Sequence, residues 1–232
     1  MKMHWHDLLF MHYRVPVEQL RRLIPQPLEI DTFDGSAWIG IVPFRMTGVS
    51  PRFVPAVPWW SNFPELNVRT YVQIDGKAGV WFFSLDATNP LAVRFARRTF
   101  HLNYVDANIS FDHKDMSCDG TWITYKSTRT HKGEPPAKLN CEYRPIGTPY
   151  RAEPDSLEYF LTARYCLYCG NSAGKVFRGE IDHDPWDLQQ AQAIVQENTM
   201  FNGLDIEPVD DKPILHYAQH VAAKAWAIRA VS

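Results

Sequence analysis

Residues 65–71 read Glu-Leu-Asn-Val-Arg-Thr-Tyr, so Glu65, Asn67, Arg69 and Tyr71 recur at every second position. A β-strand sends alternate side chains to opposite faces. One face of this segment therefore carries a carboxylate, an amide, a guanidinium and a phenol, while Leu66, Val68 and Thr70 occupy the other. A guanidinium offers a planar fork that matches both oxygens of a carboxylate, and a carboxyl group nearby can give or take a proton. A solvated face on a half-buried strand is the plain alternative. The next segment, residues 79–87, bears on that choice. Straight alternation puts Val80, Phe82, Ser84 and Asp86 on one face and Trp81, Phe83 and Leu85 on the other. Neither face is mostly charged, so the hairpin is expected to be covered on both sides. A buried Arg69 then needs a carboxylate partner, and Glu65 and Asp86 are the candidates.

Other residues offer weaker chemistry. His4, His6 and His12 share a face if the first strand runs straight through them. His-x-His is a metal-ligand spacing, yet no carboxylate or cysteine stands in a companion pattern, and unstructured N-terminal histidines are the expectation. Cys166 and Cys169 form a C-x-x-C without the second pair that a structural zinc site needs and without a thioredoxin-like context; Cys118 and Cys141 stand alone. No metal is assigned. Gly170–Gly174 lacks the spacing of a phosphate loop, no G-x-S-x-G is present, and no cofactor motif was found.

These groups must be positioned by a chain of 232 residues, which a single β-rich domain spanning 1–232 can account for. Aromatic residues make up 13% of it, enough for an aromatic-lined pocket. A net charge of −2 gives no electrostatic footprint for nucleic acid. The densest basic run, residues 94–98, falls on a helix pattern and reads as a solvated face. No stretch approaches the ~20 apolar residues of a membrane span, and the first residues lack a signal-peptide core. Four cysteines without an export signal read as reduced thiols of a cytoplasmic protein.

Periodicity predicts a strand over 8–14, then a short helix with Pro16 at its start and Pro25 and Pro27 beyond its end. A strand over 37–46 precedes a proline-rich loop bearing Trp59 and Trp60. Strands over 65–74 and 78–86 meet at Asp75-Gly76, a hairpin signal. Residues 89–100 look helical, with Asn89 as cap. Strands over 105–112 and 119–127, turning at Asp119-Gly120, lead to one near 138–145 and a short helix from Pro154. Further strands are expected near 164–169, 175–181, 188–198 and 214–226. The fold class is α+β, mostly β: an antiparallel sheet closed or curled on itself.

Residues 13–31, YRVPVEQLRRLIPQPLEID, resemble the N-terminal segment of the acetoacetate decarboxylase superfamily. WIGIVPFRMTGV, FPELNVRTYV and GVWFFSLDA resemble more closely one branch of it, the uncharacterised bacterial YqjF-like family. The resemblance covers most of the chain and implies a cone-like, largely antiparallel β-barrel with two or three short helices and a central cavity. The enzyme branch forms a Schiff base on a lysine whose pKa an adjacent lysine lowers, a device for which acetoacetate decarboxylase is a known example. That pair should fall near residues 100–104, which here read Phe-His-Leu-Asn-Tyr. No lysine lies between Lys77 and Lys114, and no two lysines are adjacent. The branch's substrate-orienting arginine aligns near His6, and its functional glutamate near Glu65.

The expectation is thus a small-molecule binder without the Schiff-base lysine. A carboxylate-bearing ligand would be held by Arg69 with Asn67, Tyr71, Asn103 and Asp86 around it. The alternative is a lyase, hydratase or isomerase acting by general acid/base chemistry through His101, Tyr104 and Glu65. A third, an interaction module, would use the Trp59–Trp60 loop. Neither nucleic acid nor membrane is expected as a partner, and self-association is left open.

Overall fold

The computed structural model describes residues 1–50, 61–116, 120–171 and 173–231. Cys118, the Asp119-Gly120 turn and the Trp59–Trp60 loop involve positions outside them. The strands are β1 (Lys2–Val15), β2 (Glu29–Ile30), β3 (Ala37–Ser50), β4 (Phe63–Ile74), β5 (Lys77–Ala87), β6 (Tyr104–Met116) and β7 (Gly120–Arg129). They continue as β8 (Lys138–Tyr150), β9 (Cys166–Gly170), β10 (Val176–His183), β11 (Leu188–Asn198), β12 (Ile214–Ala225) and β13 (Arg229–Ala230). The helices are α1 (Val17–Arg21), α2 (Pro90–Phe100) and α3 (Leu157–Thr162). The Asn89 side chain caps α2 by accepting from the Leu91 amide at 3.1 Å. Asp75 and Gly76, at φ 51° and 70°, make the tight turn between β4 and β5. Among the described residues no helix is long and apolar enough to cross a membrane.

Hydrogen bonding closes on itself. One circuit runs β5–β4–β3–β1–β12–β11–β8–β7–β6 and back to β5. A second leaves β12 through β10 and β9 and returns to β5. All these pairings are antiparallel except β5–β6 and β5–β9. Gly79 permits the second parallel contact, since a Cβ there would stand 2.7 Å from the Cys166 carbonyl oxygen. Each strand of the two circuits thus has a hydrogen-bonded neighbour on both sides over at least part of its length.

The shared wall β1–β3–β4 is covered on both sides. Leu9, Met11, Ile39, Ile41, Leu66 and Val68 enter one apolar core. Leu8, Phe10, Val42 and Phe44 enter another on the opposite face. The polar face of residues 65–71 looks toward this second side, so it is not a solvated surface: Glu65 is 2% and Asn67 6% exposed.

Two irregularities set which side chains face inward. In the β4–β5 ladder Val68 pairs with Ser84 but Arg69 pairs with Phe82, leaving Phe83 as an extra residue. Such a bulge exchanges the faces beyond it. Asn67 therefore stands opposite Leu85, and Arg69 opposite Phe82, while Asp86 and Ser84 stand opposite Leu66 and Val68. The expected face Val80, Phe82, Ser84 and Asp86 is split. In β1 the β3 register shifts between His6 and Met11, and Asp7 adopts φ 54°. The N-terminal histidines are consequently not unstructured: His4 and His6 lie on β1 beside His220, whereas His12, 1% exposed, lies inside.

Candidate functional site

A pocket of about 110 Å³ is lined from β1, β3, β4, β5, β9, β10 and β12, the strands of the smaller circuit. Its walls are mostly apolar, with Phe10, Val42, Phe44, Val80, Phe82 and Leu85 among them. Polar groups enter from β4 as Glu65, Asn67 and Arg69, from the start of β6 as Tyr104, and around the end of α3 as Thr162 and Arg164. The lining includes no lysine.

Glu65 and Tyr104 form one pole. The Tyr104 hydroxyl donates to Glu65 Oε2 at 2.9 Å. Burial pushes the Glu65 carboxyl up to about 8, the nearby Asp86 charge adding to the shift and the Tyr104 hydrogen bond opposing it. Burial and the Glu65 charge also raise the Tyr104 phenol well above its ordinary value. At neutral pH Glu65 is mostly a neutral acid, able to donate a hydrogen bond into the pocket.

Arg69 forms the other pole. Its guanidinium donates from one terminal nitrogen to the Leu161 carbonyl at 3.1 Å and lies 5.6 Å from the Phe10 ring centroid and 5.8 Å from that of Tyr71. Its Nε is buried without a partner, as are Asn67 Oδ1 and Trp5 Nε1 on the same pocket. Neither Glu65 nor Asp86 pairs with it, contrary to expectation. Four positions along a strand separate Arg69 from Glu65 by ~13 Å of backbone, and the bulge turns Asp86 away. Asp86 is 0% exposed and is gripped at 2.9 Å through both oxygens by Arg129, which also donates to Ser84 Oγ at 2.9 Å. Asp86 is thus not a pocket group. Arg129 and Arg164 were not anticipated: Arg164 binds Asp31 at 2.5 Å and the Phe160 carbonyl at 2.7 Å. No local signal could have shown either, because the partners lie 43 and 133 residues away along the chain.

Tyr71 stands behind the pocket. Its hydroxyl donates to the Leu161 carbonyl at 2.8 Å and lies 2.8 Å from His12 Nε2. With that proton committed, His12 donates from Nε2. Burial, aided by the Arg69 and His216 charges, lowers His12 well below its ordinary value, so it is neutral. Tyr71 and Arg69 share the Leu161 carbonyl, which ties the guanidinium to α3. His101 and Asn103 are not among the lining residues: His101, at φ 51°, packs on Phe177 with ring centroids 5.0 Å apart, and the Asn103 carbonyl accepts from the Leu85 amide at 2.9 Å. Burial raises Cys166 and Cys169 to about 11 and about 12, which keeps both as thiols. Among the described residues no group of three or more histidine, cysteine or acidic side chains could hold a metal ion.

The family model DUF2071, described as an uncharacterized conserved protein, matches residues 2–222. The chain is 42% identical over 229 residues to the uncharacterized protein YqjF of Bacillus subtilis (strain 168), covering 99% of this chain and 91% of that one. Among solved structures it is similar to the enduracididine biosynthesis enzyme MppR complexed with pyruvate. The TM-score is 0.66 at 10% identity, over 100% of this chain and 90% of that chain. It is also similar to an acetoacetate decarboxylase-like enzyme from Sphingomonas wittichii RW1, with a TM-score of 0.65 at 10% identity, over 100% and 93%. The acetoacetate decarboxylase-like fold expected from the sequence is therefore the fold observed.

Proposed function

The chain belongs to the DUF2071 family, and we propose that it binds a small carboxylate-bearing molecule in the pocket between Arg69 and Glu65, as one domain over residues 1–232. The observation that carries this is Arg69: a guanidinium keeps its charge in proteins, yet this one faces an apolar pocket with no carboxylate partner among the described residues and with Nε unsatisfied. Arg69 is half-buried, and a charge withdrawn from water without a counterion is costly; a bound carboxylate supplies one. Asn67 and the neutral Glu65 offer hydrogen bonds further along the same strand. The pocket volume is on the order of the ~150 Å³ cavity that admits benzene, which limits the enclosed part of a ligand to a few heavy atoms. The pyruvate in the MppR complex is an acid of that size.

An acid/base enzyme is the second reading, favoured by Glu65 at about 8, where a carboxyl group can exchange protons near neutral pH. Schiff-base chemistry has no support, since no lysine lines the pocket.

A thermal-shift screen of small monocarboxylates against the wild type, Arg69→Lys and Arg69→Met tests the binding. An acid at a hundred times its Kd should stabilise the wild type by about 2.7 kcal/mol. Lysine should respond less, because a point charge lacks the bidentate fork, and methionine should not respond. Equal stabilisation of wild type and Arg69→Met, or of neither by any acid, would remove Arg69 as the anchor.

A further inference from the structure

We infer that the ligand is a monocarboxylate with an apolar arm of several carbons, and that the arm lies in a second pocket adjoining the first. This rests on the carboxylate reading above. The second pocket, also about 110 Å³, shares Met1, Met3, Met46, Leu102, Tyr104, Leu167 and Ala225 with the first. The two pockets therefore adjoin at these residues, which a molecule anchored in one would pass to enter the other. Beyond them the walls are Val49, Phe63, Ala96, Phe100, Trp226 and Ile228. Trp226 is 49% exposed there, a large apolar side chain that an occupant would cover.

Charge is divided between the two compartments. The cationic groups Arg69 and Arg164 line only the first. The one charged side chain lining the second is Glu180, already paired with Lys77 at 3.2 Å and Arg178 at 3.1 Å. A second carboxylate placed in the outer pocket would lose water beside Glu180, and the one cationic group there, the Met1 ammonium, already donates to the Ala225 carbonyl at 2.7 Å. The outer pocket thus favours a hydrocarbon arm and disfavours a dicarboxylate. Each methylene it buries should tighten binding about fourfold.

The test is calorimetric titration of the full chain with propanoate, butanoate, hexanoate and octanoate, and with hexanedioate and octanamide as controls. Affinity should climb about fourfold per methylene, and hexanedioate should bind more weakly than hexanoate. Ala96→Phe fills only the outer pocket, from a half-buried site on α2, and should weaken octanoate at least tenfold while sparing propanoate. Val49→Trp makes the same test from β3 if the first variant folds poorly. Acids that bind with no dependence on length, or Ala96→Phe and Val49→Trp both leaving octanoate unaffected, would overturn the arm and leave the carboxylate anchor standing. Octanamide binding as tightly as octanoate would sink the anchor and support the arm. No binding by any member overturns both.

Discussion

At the scale of single residues, burial sets the proton on Glu65. The carboxyl is 2% exposed and pushed up to about 8 from an ordinary 4.5. Between those values the folded chain holds a proton that the unfolded chain has released. Stability from this group is therefore complete below pH 4.5 and lost as pH rises through 8. The buried histidines act in the opposite sense. Burial lowers His12, His183 and His216 below their ordinary 6.5, so the unfolded chain takes up protons first and stability is lost as pH falls below 6.5. Glu65→Gln keeps the shape and a neutral donor but cannot ionise. The melting-temperature difference between variant and wild type should move in the variant's favour from pH 5 to pH 9. A difference that does not change with pH would mean that Glu65 ionises in the folded chain as it does in the unfolded one.

At the scale of elements, alternation and turn chemistry made most strands legible. Asp75-Gly76 marked the β4–β5 hairpin, Asn89 and Pro90 opened α2, and the polar face of residues 65–71 does meet a pocket through Glu65, Asn67 and Arg69. The bulges at Phe83 and Asp7 were not legible. One extra residue in FFSLDA leaves no mark on composition, yet it moves Asp86 from the pocket face to the opposite core. The alanines of β12 also suit a helix, and pairing with β1 decides for the strand expected over 214–226. The rotation of Asp86 has an energetic consequence. Arg129 and Asp86 have side chains 6% and 0% exposed, so removing one leaves a buried charge alone. Arg129→Met should cost about 3–5 kcal/mol in urea unfolding, and Asp86→Leu combined with it should recover much of that loss. A loss under 1 kcal/mol for Arg129→Met would show that water reaches Asp86.

At the scale of the molecule, the chain's first and last long strands are neighbours. β12 hydrogen-bonds to β1 over Lys2–His12, and β1 in turn to β3. No cut through the described ladder separates an N-terminal from a C-terminal unit. The slimmest joint of the two circuits is the parallel contact of β5 with β9, limited to Val80–Trp81, while β5–β6, β10–β12 and β11–β12 each hold three paired positions. Closure at β9 depends on Gly79, where a Cβ would meet the Cys166 carbonyl oxygen at 2.7 Å and the Tyr168 ring at 2.8 Å. If both circuits melt together, scanning calorimetry should give one transition with matching calorimetric and van't Hoff enthalpies. Gly79→Ala should then lower that single transition by pushing β9 off β5, with no shoulder appearing. Because Leu167 on β9 lines both pockets, the same variant should weaken octanoate. Two transitions in Gly79→Ala, the upper one at the wild-type temperature, would show instead that β9 and β10 unfold apart from a ring that stands without them.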